Sequence, residues 1–449
     1  MQTPKRIAVV GSGLVGTLLA IYLRKAGHTV HVFDRSPDIR TIQFSGRSIN
    51  LAMSHRGWKA LDSVGIGDDI RKIAIPMEKR AIHIGDEIKL QYYGNEGESI
   101  YSLSRGVLNR KMIDLAEAAG AEFFFEKKIW DVTLATATLH IGETERGEWE
   151  DAPYDIVFGA DGAFSRIRHR MQRQSLFDYS QHFLQTGYKE LNIPPNPDGT
   201  HKLDKNSLHI WPRGEYMLIA LPNLDGSFTC TLFMPFEGVN SFATLTDRAK
   251  VESFFEKNLP DTVDVIPKLA EDFFKNPTST LVTMQCYPWT YEDKVALIGD
   301  ACHAIVPFYG QGMNAGFEDI TVLSHLMGKY GDDWKTIFQE YQKNRKPNAD
   351  AIAELSYRNF MEMSTSTADE KFLLQKKIEK HFSEKYPEKW LPLYSRVTFS
   401  HRPYTEALAI GDRQREIMEQ VMKIPNIEKV WQSPEVESKI LELLAKDLY

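Results

Sequence analysis

The sequence contains few cysteines, and they stand far apart. Cys230, Cys286 and Cys302 are the only three in 449 residues. Their spacing matches neither a zinc-binding motif nor a CxxC redox pair, and it offers no disulfide framework. We therefore predict three reduced, buried thiols and no metal site, and the spacing excludes a disulfide reductase that works through a cysteine pair.

Long apolar segments and an excess of one charge are also missing. The longest apolar stretch, Gly13–Leu23, is shorter than the ~20 residues that span a bilayer. The start, MQTPKR, leads directly into a strand pattern, so no signal peptide is predicted. Acidic residues number 61 against 54 basic ones, and the resulting net charge of −7 argues against non-specific nucleic-acid binding. We expect a cytoplasmic protein with neither a membrane span nor a nucleic-acid partner.

The N-terminal segment has the pattern of a dinucleotide-binding unit. The β-branched run Ile7–Val10 is followed at once by the letters GSGLVG, a helical segment and a second strand that ends in Asp34. Gly11 permits a tight turn, Gly13 lets a pyrophosphate approach the backbone, and Gly16 lets the helix pack closely on the strand. The pyrophosphate would face the helix N-terminus, and Asp34 can accept a ribose hydroxyl.

This first motif does not separate FAD from NAD. Arg35 follows the acid and fits either an NADP-type preference or a solvated rim charge. Two later strands also run into glycine-containing turns: Tyr154–Phe158 precedes Asp161-Gly162, and Val295–Ile298 precedes Gly299-Asp300. A carboxylate such as Asp300, at the end of a strand, can hold a ribityl hydroxyl.

A glycine-rich segment follows the second of these turns. Gly312, Met313 and Asn314 stand where a helix is predicted to begin, so their backbone N–H groups can stabilise an anionic or polarised ring edge. The order of the GxGxxG, DG and GD motifs resembles the aromatic-hydroxylase group of FAD-dependent monooxygenases, over most of residues 1–330. The resemblance therefore favours FAD over NAD as the bound nucleotide.

The resemblance implies FAD as the cofactor and NADPH as a co-substrate. It adds Ala52 and Arg105 to the flavin site, although Arg105, which opens a predicted helix, also fits an ordinary first-turn surface residue. No second GxGxxG is present, so we infer that the nicotinamide binds transiently at the flavin face. The expected FAD contacts are Gly11, Gly13, Gly16, Asp34, Arg35, Ala52, Arg105, Asp161, Asp300, Gly312, Met313 and Asn314.

Three further segments resemble the kynurenine 3-monooxygenase family within that group. They are Arg47–Gly57, Pro307–Asp319 and Pro392–Phe399, and the resemblance reaches about Tyr404. It implies NADPH- and O₂-dependent hydroxylation of L-kynurenine to 3-hydroxykynurenine through a flavin hydroperoxide, in tryptophan catabolism. Eukaryotic members carry membrane-anchoring helices beyond this region, whereas the charged, amphipathic tail Ile424–Tyr449 is typical of a soluble, bacterial-type enzyme.

The same resemblance predicts the substrate site. Kynurenine is an amino acid with an aniline ring, so it needs a carboxylate partner, an ammonium partner and an apolar slot. Arg80 is expected to bind the carboxylate with Tyr93 and Asn359, and Glu362, one helical turn from Asn359, to receive the ammonium group or to tie down Arg80. Three aromatic residues are expected to line the ring: Phe308, Tyr309 and Tyr394. The alternatives are a solvated edge charge for Arg80 and a surface pair for Asn359 and Glu362.

Several alternatives stay open at this point. The aniline nitrogen supplies electron density, so no catalytic side-chain base is obligatory. His303 is titratable, yet we expect a structural role for it, packed beside Asp300. A hydroxylase of another aromatic acid and a non-catalytic flavin-binding module are the remaining functions, whereas the absence of a Trp-x-Trp-x-Ile-Pro stretch disfavours a flavin halogenase. The oligomeric state is not predicted.

The predicted fold is α/β. A discontinuous Rossmann-like FAD-binding domain holds an inserted antiparallel-sheet substrate domain, and a helical C-terminal part closes it. We expect separate helices at Trp334–Arg345 and Asp350–Met363. The predicted parts are 1–75, 101–175 and 281–330 for the FAD-binding domain, 76–100 and 176–280 for the sheet domain, and 331–449 for the helical region.

Overall fold

A computed structural model describes residues 3–42, 49–93, 97–365 and 370–446, with the side chains of 363–365 left aside. Arg47 and Ser48, the first two residues of the segment Arg47–Gly57, lie outside the described residues.

One six-stranded sheet carries the dinucleotide motifs. Its strands, in spatial order, are Thr290–Tyr291, Val295–Leu297, Ile156–Gly159, Arg6–Val10, Thr29–Phe33 and Glu122–Phe124. All neighbours are parallel except the first pair, which is antiparallel. Parallel strands end at one edge of a sheet, so Gly11, Asp34, Asp161 and Gly299 follow strands that end at the same edge. The Rossmann-like prediction is confirmed.

A seven-stranded sheet forms the second layer. Its strands, in spatial order, are Ser279–Tyr287, Asp178–Ile193, Phe228–Pro235, Tyr216–Pro222, Ser207–Arg213, Lys79–Ile84 and Glu87–Tyr92. Neighbours are antiparallel except Ser207–Arg213 with Lys79–Ile84, which are parallel. The strand Ser279–Tyr287 pairs into this sheet, beyond the expected boundary at residue 280.

The two faces of this sheet pack against different parts of the chain. Trp211 and Leu232 pack on one face with Val251 and Phe255 of helix Arg248–Asn258. Ile210, Phe233 and Val306 pack together on the other face. Val306 directly precedes the segment Pro307–Asn314, so this second face covers the predicted flavin and substrate region.

Two small sheets were not predicted from the sequence. The first joins Glu150–Pro153, Thr138–Ile141 and Ile129–Thr133. The second joins Asn50–Met53, Ile100–Ser104 and Ile75–Met77, and it carries Ala52. Their strands are short and, in the second sheet, their partners lie far apart along the chain.

The helices connect and cover the sheets. No helix within the described residues is both long enough and apolar enough to cross a membrane. Their bounds are Leu14–Lys25, His55–Ser63, Gly67–Arg71, Arg105–Ala118, Arg166–Met171, Arg248–Asn258, Pro260–Val263, Leu269–Lys275, Asp300–His303, Gly312–Tyr330, Trp334–Thr365, Glu370–Lys385, Leu393–Thr398, Tyr404–Val421, Ile427–Val430 and Pro434–Ala445.

The prediction of two helices between residues 334 and 363 was wrong. Trp334–Thr365 is one helix that runs through Pro347. A proline removes one helical hydrogen bond and disfavours the helix locally. Here the Asn348 side chain donates to the Asn344 carbonyl at 2.9 Å, and Ile352 is fully buried against the rest of the chain. Tertiary packing therefore outweighs the local cost of the proline.

Candidate active site

The GxGxxG segment forms a backbone cradle at the edge of the six-stranded sheet. Gly11 has a φ of +110°, and a Cβ there would lie 2.4 Å from the Ala160 carbonyl oxygen. A Cβ at Gly16 would lie 2.1 Å from the Gly11 oxygen. At Gly13, by contrast, nothing lies within 4 Å of the Cβ position, and this residue precedes helix Leu14–Lys25 without a side-chain cap. The open space at the helix N-terminus fits an anionic phosphate.

Asp34 is bound to this cradle. Its Oδ2 accepts hydrogen bonds from the Ser12 N–H at 2.8 Å and the Ser12 hydroxyl at 2.7 Å, and its Oδ1 accepts from the Ser36 N–H at 2.8 Å. A carboxylate has about four acceptor sites, so one remains for a ribose hydroxyl. Arg35 is exposed, beside the half-buried Asp34.

Asp161 provides a buried acceptor beside the cradle. Its Oδ2 accepts the Arg166 N–H at 2.7 Å, at the start of helix Arg166–Met171. Its Oδ1 is buried and has no hydrogen-bond partner among the described residues. Burial raises the pKa of this carboxyl above its ordinary value. A ligand hydroxyl or N–H would supply the missing donor.

Asp300 and Asp161 lie on segments that one buried arginine joins. Asp300 is exposed at the start of the short helix that follows Gly299. The Arg168 guanidinium donates to the Ala301 carbonyl at 2.8 Å and to the Ala163 carbonyl at 2.6 Å. Arg168 thus ties together the two turns that carry the DG and GD motifs.

Asn314 holds the glycine-rich segment against a neighbouring strand. Its Oδ1 accepts the Ser54 N–H at 2.9 Å, and its Nδ2 donates to the Ala52 oxygen at 2.9 Å and the Gly310 oxygen at 2.8 Å. The side chain is fully buried, so these three bonds define its role in the structure. The segment then starts helix Gly312–Tyr330, with Gly312 and Met313 half-buried in its first turn.

Arg105 lies at the start of a helix that follows the second small sheet. It is exposed at the start of helix Arg105–Ala118 and makes no ion pair within the part of the chain that the structure describes. The surface alternative for Arg105 therefore stays open.

His303 is buried, and its hydrogen-bond partner differs from the neighbour that was expected. The imidazole is 3% exposed, and its Nε2 lies 2.6 Å from Asp319 Oδ2, with the Trp289 ring 5.2 Å away. The predicted packing beside Asp300 is corrected to a hydrogen bond with Asp319, because Asp300 points to solvent while Asp319 is fully buried.

The predicted substrate residues form one cluster around Arg80. The Arg80 guanidinium carbon lies 5.0 Å from the centre of the Tyr93 ring and 4.4 Å from that of Tyr394. Tyr394 is stacked between Tyr93, at 5.4 Å, and Tyr309, at 5.6 Å. Three stacked phenol rings thus form a wall beside one cation, which itself lies against two of them.

Arg80 is positively charged and has no carboxylate partner within the described ranges. Its Nε is buried without a hydrogen-bond partner, and no acidic side chain within the described ranges lies within ion-pair distance of it. The Tyr93 hydroxyl is likewise buried and unpartnered. Burial raises the pKa of the Tyr93 and Tyr309 phenols, so both stay protonated. Arg80 itself is half-buried, and its buried Nε is a donor that a ligand carboxylate could satisfy.

The remaining three predicted residues are Phe308, Asn359 and Glu362. The Asn359 amide donates to the Phe308 carbonyl at 2.8 Å, so it already supports the segment that carries Tyr309. The Phe308 ring lies 5.0 Å from Phe233 of the seven-stranded sheet. Glu362 is exposed. The pKa of Tyr309 is raised mainly by burial, then by Tyr394, and to a smaller extent by the charge of Glu362. The structure therefore brings all seven predicted substrate residues together.

A buried ion network behind the site was not predicted. Arg345 donates to Asp319 Oδ1 and to Glu318 Oε2, each at 2.7 Å, and Glu318 also pairs with Arg56. Both arginines are 2% exposed or less. Arg56 lies in the segment Arg47–Gly57, and Glu318 and Asp319 lie in Pro307–Asp319. The available sequence signal was the adjacent acids Glu318 and Asp319 in a largely apolar helix.

The chain is similar along most of its length to enzymes of known identity. The profile of the FAD binding domain family matches residues 5–356. The kynurenine 3-monooxygenase of Flavobacterium johnsoniae is 80% identical over 446 residues, which cover 99% of this chain and 100% of that protein. The kynurenine 3-monooxygenase of Dictyostelium discoideum is 42% identical over 444 residues, 95% of each chain.

Solved structures share the fold at low sequence identity. The tetrameric form of 2-methyl-3-hydroxypyridine-5-carboxylic acid oxygenase has a TM-score of 0.69 at 18% identity, covering 83% of this chain and 96% of that one. A tetracycline destructase has a TM-score of 0.60 at 17% identity, covering 90% of this chain and 100% of that one.

Proposed function

Because this chain belongs to the kynurenine 3-monooxygenase family, we propose that it hydroxylates L-kynurenine to 3-hydroxykynurenine with FAD, NADPH and O₂. The observation that carries the substrate assignment is the half-buried Arg80, whose Nε is buried without a hydrogen-bond partner and whose guanidinium has no carboxylate partner among the described residues. The α-carboxylate of an amino acid supplies that partner, in the bidentate geometry that arginine favours.

The other substrate residues follow from the chemistry of kynurenine. The unpartnered Tyr93 hydroxyl is a second donor to the carboxylate. We assign Tyr309, at one end of the tyrosine stack, and Tyr394 within it to the wall of the aniline slot. Phe308 closes the slot from the side of the seven-stranded sheet. Glu362 supplies a negative charge for the ammonium group. The Asn359 amide supports the Phe308 backbone, and we assign Asn359 to the carboxylate end of the slot.

The cradle fits FAD. Gly13 would border the pyrophosphate at the helix N-terminus, whereas Gly11 and Gly16 would shape the turn and the close packing behind it. Asp34 would accept a ribose hydroxyl, and Asp161 Oδ1 would receive a donor that it otherwise lacks. When bound and reduced by NADPH, FAD activates O₂ for transfer to the ring carbon ortho to the aniline nitrogen. The protein positions the substrate and excludes water, and no side-chain base is required.

The remaining flavin contacts are assigned to the rim and the ring. We assign the ribityl chain to Asp300 and the edge of the ring to the N–H groups of Gly312 and Met313, at the start of a helix. Asn314 and Ala52 contribute through the backbone geometry that they fix together. Arg35 and Arg105, both exposed, complete the proposed contacts from the solvent side.

The test is anaerobic reduction of the bound flavin by NADPH, followed at its visible absorbance, with and without L-kynurenine. We expect strong acceleration by L-kynurenine and, in air, 3-hydroxykynurenine by mass spectrometry. Acceleration and hydroxylation only with another aromatic acid would replace the substrate. Stable FAD that NADPH never reduces would indicate a non-catalytic flavin-binding module.

The molecular context is part of the same proposal. We propose a flavin domain of 1–75, 101–175 and 281–330, a substrate-covering sheet of 76–100 and 176–280, and a helical region of 331–449. The strand Ser279–Tyr287 crosses the boundary at residue 280 and pairs into the sheet. We propose a cytoplasmic location, which the three buried cysteines without disulfide bonds favour, because thiols stay reduced in that compartment.

A further inference from the structure

The start of helix Gly312–Tyr330 is held by a tyrosine from the C-terminal region. Tyr404 is fully buried, and its hydroxyl donates to Gln311 Oε1 at 2.9 Å. Gln311 is itself 1% exposed and directly precedes the helix. The backbone N–H groups of the first turn are those assigned above to the edge of the flavin ring. Tyr404, which is 93 residues away from Gln311 along the chain, therefore holds the segment that begins this turn.

Buried charges fix the Tyr404 ring in turn. The Arg56 guanidinium carbon lies 3.9 Å from the ring centre. Arg56 forms an ion pair with Glu318, and the other oxygen of Glu318 accepts from Arg345 at 2.7 Å. Glu318 belongs to the same helix that Gln311 precedes. Burial raises the pKa of Tyr404, so its hydroxyl stays protonated and remains a donor.

We propose that Tyr404 is a positioning residue for the flavin, acting through Gln311. With the amide of Gln311 held, the first-turn N–H groups of helix Gly312–Tyr330 keep a fixed orientation toward the flavin ring. Their partial positive charge stabilises negative charge on the reduced ring, and that stabilisation depends steeply on geometry. This inference rests on the FAD site of the proposed function and requires no contact between Tyr404 and the flavin.

The test variant is Tyr404→Phe in the full chain. It keeps the ring against Arg56 and removes one hydroxyl, which leaves Gln311 Oε1 buried without a donor. We expect the FAD dissociation constant of the apoprotein to rise by about 5- to 10-fold, as for one lost buried hydrogen bond. We also expect the midpoint potential of the bound FAD to become more negative. Both are measured without kynurenine, so a failure to hydroxylate kynurenine leaves them interpretable.

The matched control is Tyr22→Phe. The Tyr22 hydroxyl donates to the Ser324 carbonyl at 3.2 Å. Ser324 belongs to helix Gly312–Tyr330 but lies far from its first turn. Tyr22→Phe should lose stability and keep the wild-type potential, since it leaves the first turn undisturbed. Equal shifts of the potential in both variants, or wild-type affinity and potential in Tyr404→Phe, would overturn the proposal.

A double variant tests the route through Gln311. Gln311→Ala alone should shift the potential in the same direction as Tyr404→Phe, and it serves as the test if Tyr404→Phe fails to fold. Adding Tyr404→Phe to Gln311→Ala should change the potential no further. Additive shifts would mean that Tyr404 acts by another route, and the assignment would be wrong.

Discussion

Replacing Arg80 by alanine tests the substrate site most directly. Its guanidinium lies against the rings of Tyr93 and Tyr394 and has no carboxylate partner within the ranges described. Removing one member of a buried, hydrogen-bonded charge pair costs about 2 to 5 kcal/mol, or roughly 30-fold to a few thousand-fold in the dissociation constant. We expect L-kynurenine to bind Arg80→Ala more weakly by a factor in this range. Arg80→Lys, which keeps the charge but not the paired donors, should lose about tenfold.

The decarboxylated analogue kynuramine separates a direct role from a general disturbance of the site. If Arg80 binds the carboxylate, the wild type should prefer kynurenine strongly over kynuramine, whereas Arg80→Ala should bind the two almost equally. The two changes then form a cycle whose coupling equals the lost interaction. Binding is measured by perturbation of the flavin absorbance at equilibrium, without NADPH.

Lys79→Ala is the matched control. Lys79 precedes Arg80 on the same strand, and its side chain pairs with Asp204 at 3.2 Å. This variant removes an equal charge from the same strand, and it should keep wild-type affinity for both ligands. The reasoning is refuted if Arg80→Ala still prefers kynurenine over kynuramine as strongly as the wild type does, while its FAD content is normal.

Three further predictions concern the framework. Asn314→Ala removes three buried hydrogen bonds, so the free energy of unfolding should fall by about 3 kcal/mol at about 1 kcal/mol per bond; an unchanged thermal midpoint would contradict this. Burial lowers the pKa of His83 from 6.5 to about 4, so the unfolded chain binds this proton more readily and stability should decline as the pH falls through that window. His83→Gln should flatten that decline in thermal unfolding against pH, and parallel curves would refute the assignment. Burial raises the pKa of Cys286 to about 12 and also raises the pKa values of Cys230 and Cys302. Ellman's reagent should therefore label no thiol in the native protein and three thiols in denaturant. Rapid labelling of the native protein would contradict the burial of the cysteines.

The parts of the fold that the sequence predicted well are those encoded locally. The unit from Ile7 to Asp34 combines a buried strand, a glycine turn and a helix within one short segment, and each piece has its own signal. The second small sheet has no such signal. Asn50–Met53 pairs with Ile100–Ser104, and neither short strand indicates its partner. Pairing over such a separation is decided by packing, which a single sequence does not display.

The candidate site divides in the same way. Arg80, Tyr93 and Tyr394 were predicted from family resemblance, and their mutual contacts needed the structure. The partner of His303 was not predictable, because a carboxylate on a helix is usually solvated, and Asp319 becomes a partner only when the helix is buried. The sequence alone does not distinguish a solvated charge from a buried one. The structure does, because Asp319 is 0% exposed.

The unbroken helix Trp334–Thr365 explains why the two halves of the site keep a fixed relation. Arg345 near its middle belongs to the buried ion network beside the flavin motifs, and Asn359 contacts the substrate segment through Phe308. The two residues are separated by 14 positions of continuous helix, or about 21 Å at 1.5 Å per residue. A break at Pro347 would have placed a hinge between them. Because the helix continues, Arg345, which is bound to the flavin-side helix, and Asn359, which supports the substrate slot, belong to one secondary-structure element.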